Sequence, residues 1–266
     1  MLEDLKYIYN DVNHLKVYLY NSKFKIYSNG NFKAIKYSFD IVKGRINETF
    51  LHNGKSSKEE LEHYHKQYLK VVRNEIIDLA LNNLNLWEYF VTLTFNDLEL
   101  GGTYSHIKVL EKLQNWLKVQ RRNNPNMYYL FVPEFHKSGR IHFHGLVGNV
   151  PNWKLEKSRN SNNNRLIKVN GKQIYNLLNY KLGFSTISFI EDKFKVSLYI
   201  SKYVTKDLID LKHKKRYWYS RNLSKPKVFY SYFNGELLDL SDNFKMTNYL
   251  EIEKDNSQIT IANFQL

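Results

Sequence analysis

The strongest constraint on the fold is a pair of strand-like segments separated by a very short loop. Tyr128–Glu134 and Ile141–Val147 are rich in apolar and β-branched residues, and Lys137–Gly139 lies between them. Three-residue hairpin loops commonly place a glycine where the backbone is left-handed. The two segments are therefore predicted to form an antiparallel hairpin in which Glu134 faces His142.

The second segment of this hairpin contains two histidines separated by one phenylalanine. His142 and His144 share a face, because alternate residues of a strand point the same way. Cross-strand partners also share a face, so Glu134 is expected beside both imidazoles, with His136 as a spare ligand. One carboxylate and two imidazoles suit Mg²⁺ or Mn²⁺ with open positions for a substrate oxygen. The alternative is a pair of surface or hydrogen-bonded histidines.

A second polar group lies on the helix-like segment Val196–Leu211. Tyr199 and Tyr203 are four residues apart and share a helical face, with Lys206 three residues further on. A phenol is a weak nucleophile at its ordinary pKa of about 10. A metal-polarised phosphate or a nearby ammonium group makes its attack feasible, and Lys202 and Lys206 supply positive charge. The alternative is core packing, since the chain contains 21 tyrosines.

The remaining pattern predicts helices and strands around these two groups. Interspersed helices and hairpin strands indicate an α+β fold with a central antiparallel sheet, flanking helices and β-rich extensions. The division expected is an N-terminal β-rich region with a connecting helix (1–85), a nuclease domain (86–211) and a basic, aromatic extension (212–266). Further predicted elements are strands at 24–27, 32–39, 87–95 and 184–190, helices at 57–83, 105–122 and 172–182, and a loop at 151–173.

The charge of the chain indicates a polyanionic partner. Its 40 Lys and Arg residues against 26 Asp and Glu residues give a formal net charge of +14. Cations that neutralise phosphates release condensed counterions. Residues 212–221 interleave cations with aromatic rings, which suits unpaired nucleotides, although the rings could equally fold into the core. The residues predicted to contact DNA are Lys206, Lys214, Lys215, Arg216, Tyr217, Trp218 and Arg221.

Several classes of protein are excluded by what the sequence lacks. There is no cysteine, which rules out disulfides, zinc–thiolate sites and cysteine nucleophiles. Gly54–Ser56 ends like a phosphate-binding loop, but Thr49 stands where the first glycine is needed, so an ATPase or helicase is not expected. No apolar run reaches the length of a membrane span and no signal-peptide core is visible, so we expect a cytoplasmic protein.

Three segments together resemble the motifs of the HUH endonucleases, in particular the rolling-circle replication initiators of single-stranded DNA phages and plasmids. Phe90–Phe95 is similar to the first motif, His142–His144 to the second, and Tyr199–Tyr203 to the two-tyrosine form of the third. A carboxylate on the preceding strand often completes the metal site in that family, and Glu134 holds that position. The resemblance spans residues 89–206 and implies an HUH, or RRM-like, nuclease fold.

The resemblance also implies an activity, namely nicking of one DNA strand to start rolling-circle replication. Tyr199 would attack first, leaving a 5′-phosphotyrosine and a free 3′-OH primer, and Tyr203 would take the second transfer, unless the roles alternate. Lys202 would steady the phosphate or the phenolate, while Glu134 and the two histidines would hold the ion. The implied partners are single-stranded or hairpin origin DNA, a separate helicase and a host polymerase.

Three alternatives stay open at the level of sequence. A related HUH transposase or mobilisation relaxase would use a single tyrosine and would not need Tyr203. A non-catalytic nucleic-acid-binding module would depend on neither a divalent ion nor Tyr199. A hydrolase with the same metal site would leave no covalent protein–DNA adduct.

Overall fold

The structure is a computed structural model that describes residues 22–39, 58–205, 216–231, 233, 235–254 and 257–265. Its elements in chain order are β1 (Ser22–Ile26), β2 (Phe32–Phe39), α1 (Lys58–Asn82), β3 (Tyr89–Leu93), α2 (His106–Asn123), β4 (Tyr128–Phe135), β5 (Ile141–Gly148), β6 (Leu155–Lys157), β7 (Lys168–Val169), β8 (Lys172–Gln173), β9 (Tyr175–Leu177), β10 (Ser185–Phe189), α3 (Lys193–Tyr199), β11 (Trp218–Tyr219), β12 (Lys227–Ser231), β13 (Lys245–Lys254) and β14 (Ser257–Gln265). Short 3₁₀ turns add Leu84–Leu86, Ile200–Tyr203 and Leu237–Asp242.

The chain forms two compact units. One contains the described parts of Ser56–Ser224, and the other contains the strands before and after that stretch. This grouping follows contacts, whereas the expected boundaries after residues 85 and 211 followed the motif span. By contacts, α1 and β11 lie in the Ser56–Ser224 unit.

A seven-stranded antiparallel sheet forms the centre of the Ser56–Ser224 unit. Its order is β11-β4-β5-β3-β10-β9-β6, and β7 and β8 form a separate hairpin. The predicted α+β fold with a central antiparallel sheet is confirmed. Helix α2 covers one face, where the Trp116 ring meets Phe131 edge-on. Phe131 pairs with Gly145, whose neighbour His144 points to the other face, so α2 and the histidines lie on opposite sides of the sheet.

Two predicted helices in this unit are corrected by the structure. Residues 172–182, predicted as a helix, contain β8 and β9, and residues 151–173, predicted as a loop, contain β6 and β7. Asn170 and Gly171 both have positive φ, 50° and 78°, between β7 and β8. An Asn-Gly pair with positive φ at both positions makes a type I′ hairpin turn. That turn chemistry, missed in the sequence, explains the strands.

The second correction concerns the helix predicted over 196–211. It starts earlier, because the Asp192 side chain accepts a hydrogen bond from the Lys195 backbone N–H at 2.9 Å and caps α3. After Tyr199 the backbone tightens into a 3₁₀ turn, and Val204 leaves helical geometry with ψ of 87°. Within the described residues the helical path therefore ends at Tyr203, and residues 206–211 lie outside the described part.

The other unit is a five-stranded antiparallel sheet with the order β12-β1-β2-β14-β13. The predicted N-terminal hairpin is confirmed, since the Tyr27 N–H donates to the Asn31 carbonyl at 2.9 Å and Gly30 has a φ of 87°. The predicted run at 17–20 and the expected helix cap at Ser57 lie outside the described residues. Its buried core consists of Phe24, Ala34, Leu237, Ala262 and Phe264. No helix in the described part of the chain is long and apolar enough to cross a membrane.

Candidate functional site

The β4–β5 hairpin sets the positions of the predicted metal ligands. Glu134 pairs with His142, as expected from the sequence. The His136 N–H donates to the Arg140 carbonyl at 2.8 Å, and the Gly139 N–H donates back to the His136 carbonyl at 2.8 Å. Gly139 has a φ of 78°. The predicted three-residue loop with a left-handed glycine is confirmed, and Glu134, His136, His142 and His144 share one face.

His144 is held at both ring nitrogens. Its Nε2 lies 2.7 Å from Oε2 of Glu134, and its Nδ1 lies 3.0 Å from Oγ1 of Thr92. The side chain is 9% exposed. Burial lowers the pKa of His144 to about 4, although the hydrogen bond and charge of Glu134 oppose that shift. The imidazole is therefore neutral at neutral pH, which is the form that binds a metal ion.

His142 occupies a different environment on the same face. Its ring stacks on the ring of His136, with centroids 5.4 Å apart. Burial lowers the pKa of His142, and the nearby His136 lowers it further. Among the residues that the structure describes, no group of three His, Asp or Glu side chains is arranged to bind a metal ion. The structure thus brings Glu134 and His144 into contact and leaves His142 beside His136.

The two tyrosines lie over this face on the turn after α3. The Tyr203 ring stacks on the His144 ring with centroids 3.7 Å apart, and its hydroxyl donates to the Tyr199 hydroxyl at 3.2 Å. Tyr203 is 6% exposed, whereas Tyr199 is 44% exposed. Arg73 of α1 donates to the Val204 carbonyl at 2.8 Å and anchors the end of the turn. The predicted pairing of the tyrosines on one face is present in the structure.

Lys202 distinguishes the two phenols. Its ammonium nitrogen donates to the Tyr199 hydroxyl and lies 3.8 Å from the centroid of that ring. Burial raises the pKa of Tyr199, but hydrogen bonds from Lys202 and Tyr203 and the lysine charge outweigh it, so the net pKa lies below the ordinary value. Burial and the hydrogen bond to Tyr199 raise the pKa of Tyr203. Tyr199 is therefore the phenol that ionises more readily.

Two residues of the first motif belong to the site although the sequence assigned them no role. Thr92 pairs with His144 across β3 and β5 and contacts its Nδ1 atom. The Phe90 ring lies 6.0 Å from the His144 ring and 5.9 Å from the Tyr199 ring, between centroids. Strand alternation had placed Thr92 on a polar face, and that was the available signal.

A second network fixes the tip of the hairpin. Arg140 donates two hydrogen bonds to the Asp97 carboxylate, at 2.9 and 2.7 Å, and its guanidinium lies 4.9 Å from the centroid of the Tyr104 ring. The Tyr104 hydroxyl accepts a hydrogen bond from the Ile141 N–H. The His106 Nε2 atom lies 2.8 Å from the Gly139 carbonyl oxygen. These contacts tie the hairpin to the segment between β3 and α2.

The predicted DNA-contacting residues are placed differently from one another. Lys206, Lys214 and Lys215 lie outside the described residues. Trp218 is buried and meets the Phe143 ring edge-on, so stacking on a base would require the indole to leave the core. The others are Arg216, whose guanidinium lies 5.7 Å from the Tyr68 ring centroid, Tyr217, whose hydroxyl donates to Glu75 at 2.9 Å, and Arg221, which is exposed.

Comparison with known proteins identifies one similarity. Residues 88–208 match the protein family described as Replication-associated protein ORF2. The matched stretch runs from the strand that carries Thr92 to the turn that carries both tyrosines, so it contains the whole site. No curated protein and no solved structure matches the chain. The family match is consistent with a replication initiator.

Proposed function

We propose that the protein nicks one DNA strand by transesterification to a tyrosine and so initiates rolling-circle replication. The observation that carries this proposal is the contact between the Tyr199 hydroxyl and the Lys202 ammonium, on the sheet face that also bears Glu134 and His144. An exposed phenol with a lowered pKa is a suitable nucleophile. The match to a replication-associated family over the same residues supports the biological role.

The reaction places Tyr199 as the first nucleophile. Its phenol loses a proton to solvent, the phenolate oxygen bonds to the scissile phosphorus, and the bond from phosphorus to the 3′ oxygen breaks. The leaving oxygen takes up a proton and becomes a 3′-OH, while the 5′ phosphate stays on the tyrosine. Lys202 and the Tyr203 hydroxyl both donate hydrogen bonds to the Tyr199 oxygen and so stabilise its phenolate.

The donor set around His144 fits a hard divalent cation such as Mg²⁺ or Mn²⁺. Two ligand atoms about 2.1 Å from one ion at right angles lie about 3 Å apart. The separation of 2.7 Å between His144 Nε2 and Glu134 Oε2 is close to this value. Glu134 and His144 would hold the ion, with His142 on the same face as the third ligand. A bound ion would polarise a phosphate oxygen as a Lewis acid.

Thr92 suits both protonation patterns of His144. A hydroxyl can donate or accept a hydrogen bond. When Nε2–H donates to Glu134, Nδ1 accepts from Thr92, and when Nε2 offers its lone pair to an ion, Nδ1–H donates to Thr92. Such partners behind a ligating histidine fix its tautomer and ring orientation. Thr92 is therefore a positioning residue for the proposed metal site.

Tyr203 is proposed to act second, after the first strand transfer. Its ring is stacked on His144 and its hydroxyl is bound to the oxygen of Tyr199. Before it attacks a phosphate, Tyr203 must leave that stack, whereas Tyr199 is already exposed. The same burial favours a second candidate, a single-tyrosine HUH transposase or relaxase. In that case Tyr203→Phe would leave both nicking and strand closure intact.

The decisive experiment is incubation of the chain with labelled single-stranded DNA carrying varied sequences, in the presence of Mn²⁺. We expect a denaturation-resistant protein–DNA adduct that disappears in Tyr199→Phe and persists in Tyr219→Phe, a matched control at another partly exposed tyrosine. An adduct that survives in Tyr199→Phe would overturn the assignment. Cleavage without any adduct would indicate a hydrolase instead. An origin hairpin, a separate helicase and a host polymerase are the partners that this function requires.

A further inference from the structure

One aromatic side chain beside the site stands almost entirely in solvent. Phe184 is 80% exposed, although it lies directly before β10 in the central sheet. Single exposed apolar residues are common on protein surfaces and need no explanation by themselves. The position and the fixed backbone of this residue distinguish it from such cases.

The backbone of Phe184 is held firmly to β3. The Thr94 N–H donates to the Phe184 carbonyl at 2.9 Å, and the Phe184 N–H donates to the Thr94 hydroxyl oxygen at 2.8 Å. A Cβ atom at Gly183 would lie only 2.4 Å from the Thr94 carbonyl oxygen, so glycine permits this close approach. The ring is therefore exposed from an anchored position, and it is not exposed because the strand end frays.

The register places the Phe184 ring on the face of the proposed site. Ser185 pairs with Leu93, so Phe184 lies opposite Thr94. Thr94 and Thr92 share a face because they are two residues apart, and Thr92 pairs with His144. The backbones of β10 and β5 are separated by two strand spacings, roughly 10 Å. One face thus carries the aromatic ring, the threonine hydroxyls and the His144 site in a continuous row.

We propose that Phe184 is a stacking platform for an unpaired base next to the scissile phosphate of single-stranded DNA. Aromatic rings bind single strands because every base has a π-face, and threonine hydroxyls can contact the phosphates between ring and site. The net charge of +14 favours such a polyanion. In a duplex the base faces are covered by their neighbours, so the platform selects unpaired nucleotides. This inference rests on the proposed function, because it takes the scissile phosphate to lie at His144.

The direct test uses tryptophan fluorescence, which reports stacking without any cleavage. The variant Phe184→Trp is titrated with an oligothymidylate single strand, and its emission is compared with that of the parent chain and of Phe189→Trp. Phe189 is also exposed and lies on the same strand, but an odd number of residues from Phe184 puts it on the opposite face. We expect strong quenching in Phe184→Trp alone. Equal quenching in both variants, or none in Phe184→Trp, would overturn the platform.

A second measurement keeps this inference separable from the proposed function. Phe184→Ala should raise KM for a single-stranded substrate about tenfold with kcat unchanged, and Phe184→Tyr should restore KM. If no variant forms an adduct but Phe184→Trp is quenched, nicking fails while the platform stands. If adducts form with unchanged KM in Phe184→Ala, the platform fails while nicking stands. Absence of any binding to single-stranded DNA also overturns the platform.

Discussion

The phenol ring of Tyr203 lies flat on the imidazole ring of His144, with planes 7° apart and centroids 3.7 Å apart. Thr92 and Glu134 hold the two nitrogens of the same imidazole from its edges. The stack therefore restrains the third direction, perpendicular to the ring. It also joins the turn that bears Tyr199 to the strand that bears the histidines. The proposed nucleophile and the proposed metal site consequently form one connected cluster.

Removal of the Lys202 charge should shift the reaction to higher pH. In Lys202→Met, Tyr199 loses its ammonium partner, so its pKa rises and less phenolate is present near neutral pH. We expect adduct formation near neutral pH to slow about 100-fold and to recover partly in alkaline buffer. The measurement is the rate of adduct formation against pH. Lys195→Met, at an exposed lysine on α3, is the control and should behave like the parent chain.

The Thr92 hydroxyl should tune the affinity of the proposed metal site. Thr92→Val keeps the shape of the side chain but removes the hydrogen bond to His144 Nδ1. Loss of such a partner weakens metal binding by roughly 10- to 100-fold. Titration with Mn²⁺ by calorimetry or electron paramagnetic resonance measures the change. Thr92→Ser should bind like the parent, and so should Thr186→Val at the exposed neighbouring position. Undiminished affinity in Thr92→Val would contradict the positioning role.

Gly145 should be intolerant of any side chain. A Cβ atom there would lie 2.3 Å from the ring of Phe131, which is fully buried between the sheet and α2. Overpacking of this kind lowers the free energy of unfolding by about 1–3 kcal/mol. Chemical denaturation of Gly145→Ala measures the loss. Thr186→Ala, at an exposed site on β10, should change that free energy by less than about 0.5 kcal/mol.

The ion pair between Asp97 and Arg140 should make stability depend on acid pH. The hydrogen bond from Arg140 lowers the pKa of Asp97 in the folded state. A carboxyl group with a lowered folded pKa stabilises the fold above its ordinary pKa of about 3.9, and this contribution is lost as the pH falls through the folded pKa. The difference in Tm between the parent and Asp97→Asn should therefore be largest near neutral pH and vanish in strong acid. Adding Arg140→Met to Asp97→Asn should lower Tm little further, and a fully additive loss would contradict the pairing.

The hairpin and the tyrosine pair could be predicted from the sequence because local rules determine them. Side-chain parity along β5 fixes which residues share a face, and a three-residue loop ending in Gly139 fixes the register to β4. Helical spacing likewise brings Tyr199 and Tyr203 together, even though the second lies in a 3₁₀ turn. Both features depend on residues that are close in the sequence.

The contacts that define the chemistry could not be predicted, because they depend on pairings across long stretches of chain. Thr92 reaches His144 only through the register of β3 against β5. The difference in exposure between Tyr199 and Tyr203 follows from the ring of His144 beneath the second tyrosine. The hairpin at Asn170–Gly171 is a different case, since its turn signal was present in the sequence and was missed.

The pairing of β2 with β14 has a consequence for how the chain is made. Phe32 lies opposite Phe264, and the whole Ser56–Ser224 unit is encoded between them. On the ribosome, β1 and β2 emerge early and wait with an unpaired edge until almost the entire chain has been synthesised. An uncovered strand edge is a template for other chains. Polysomes translating this message would therefore bring several unpaired β2 edges close together, and rapid completion of the last strands would limit their mispairing.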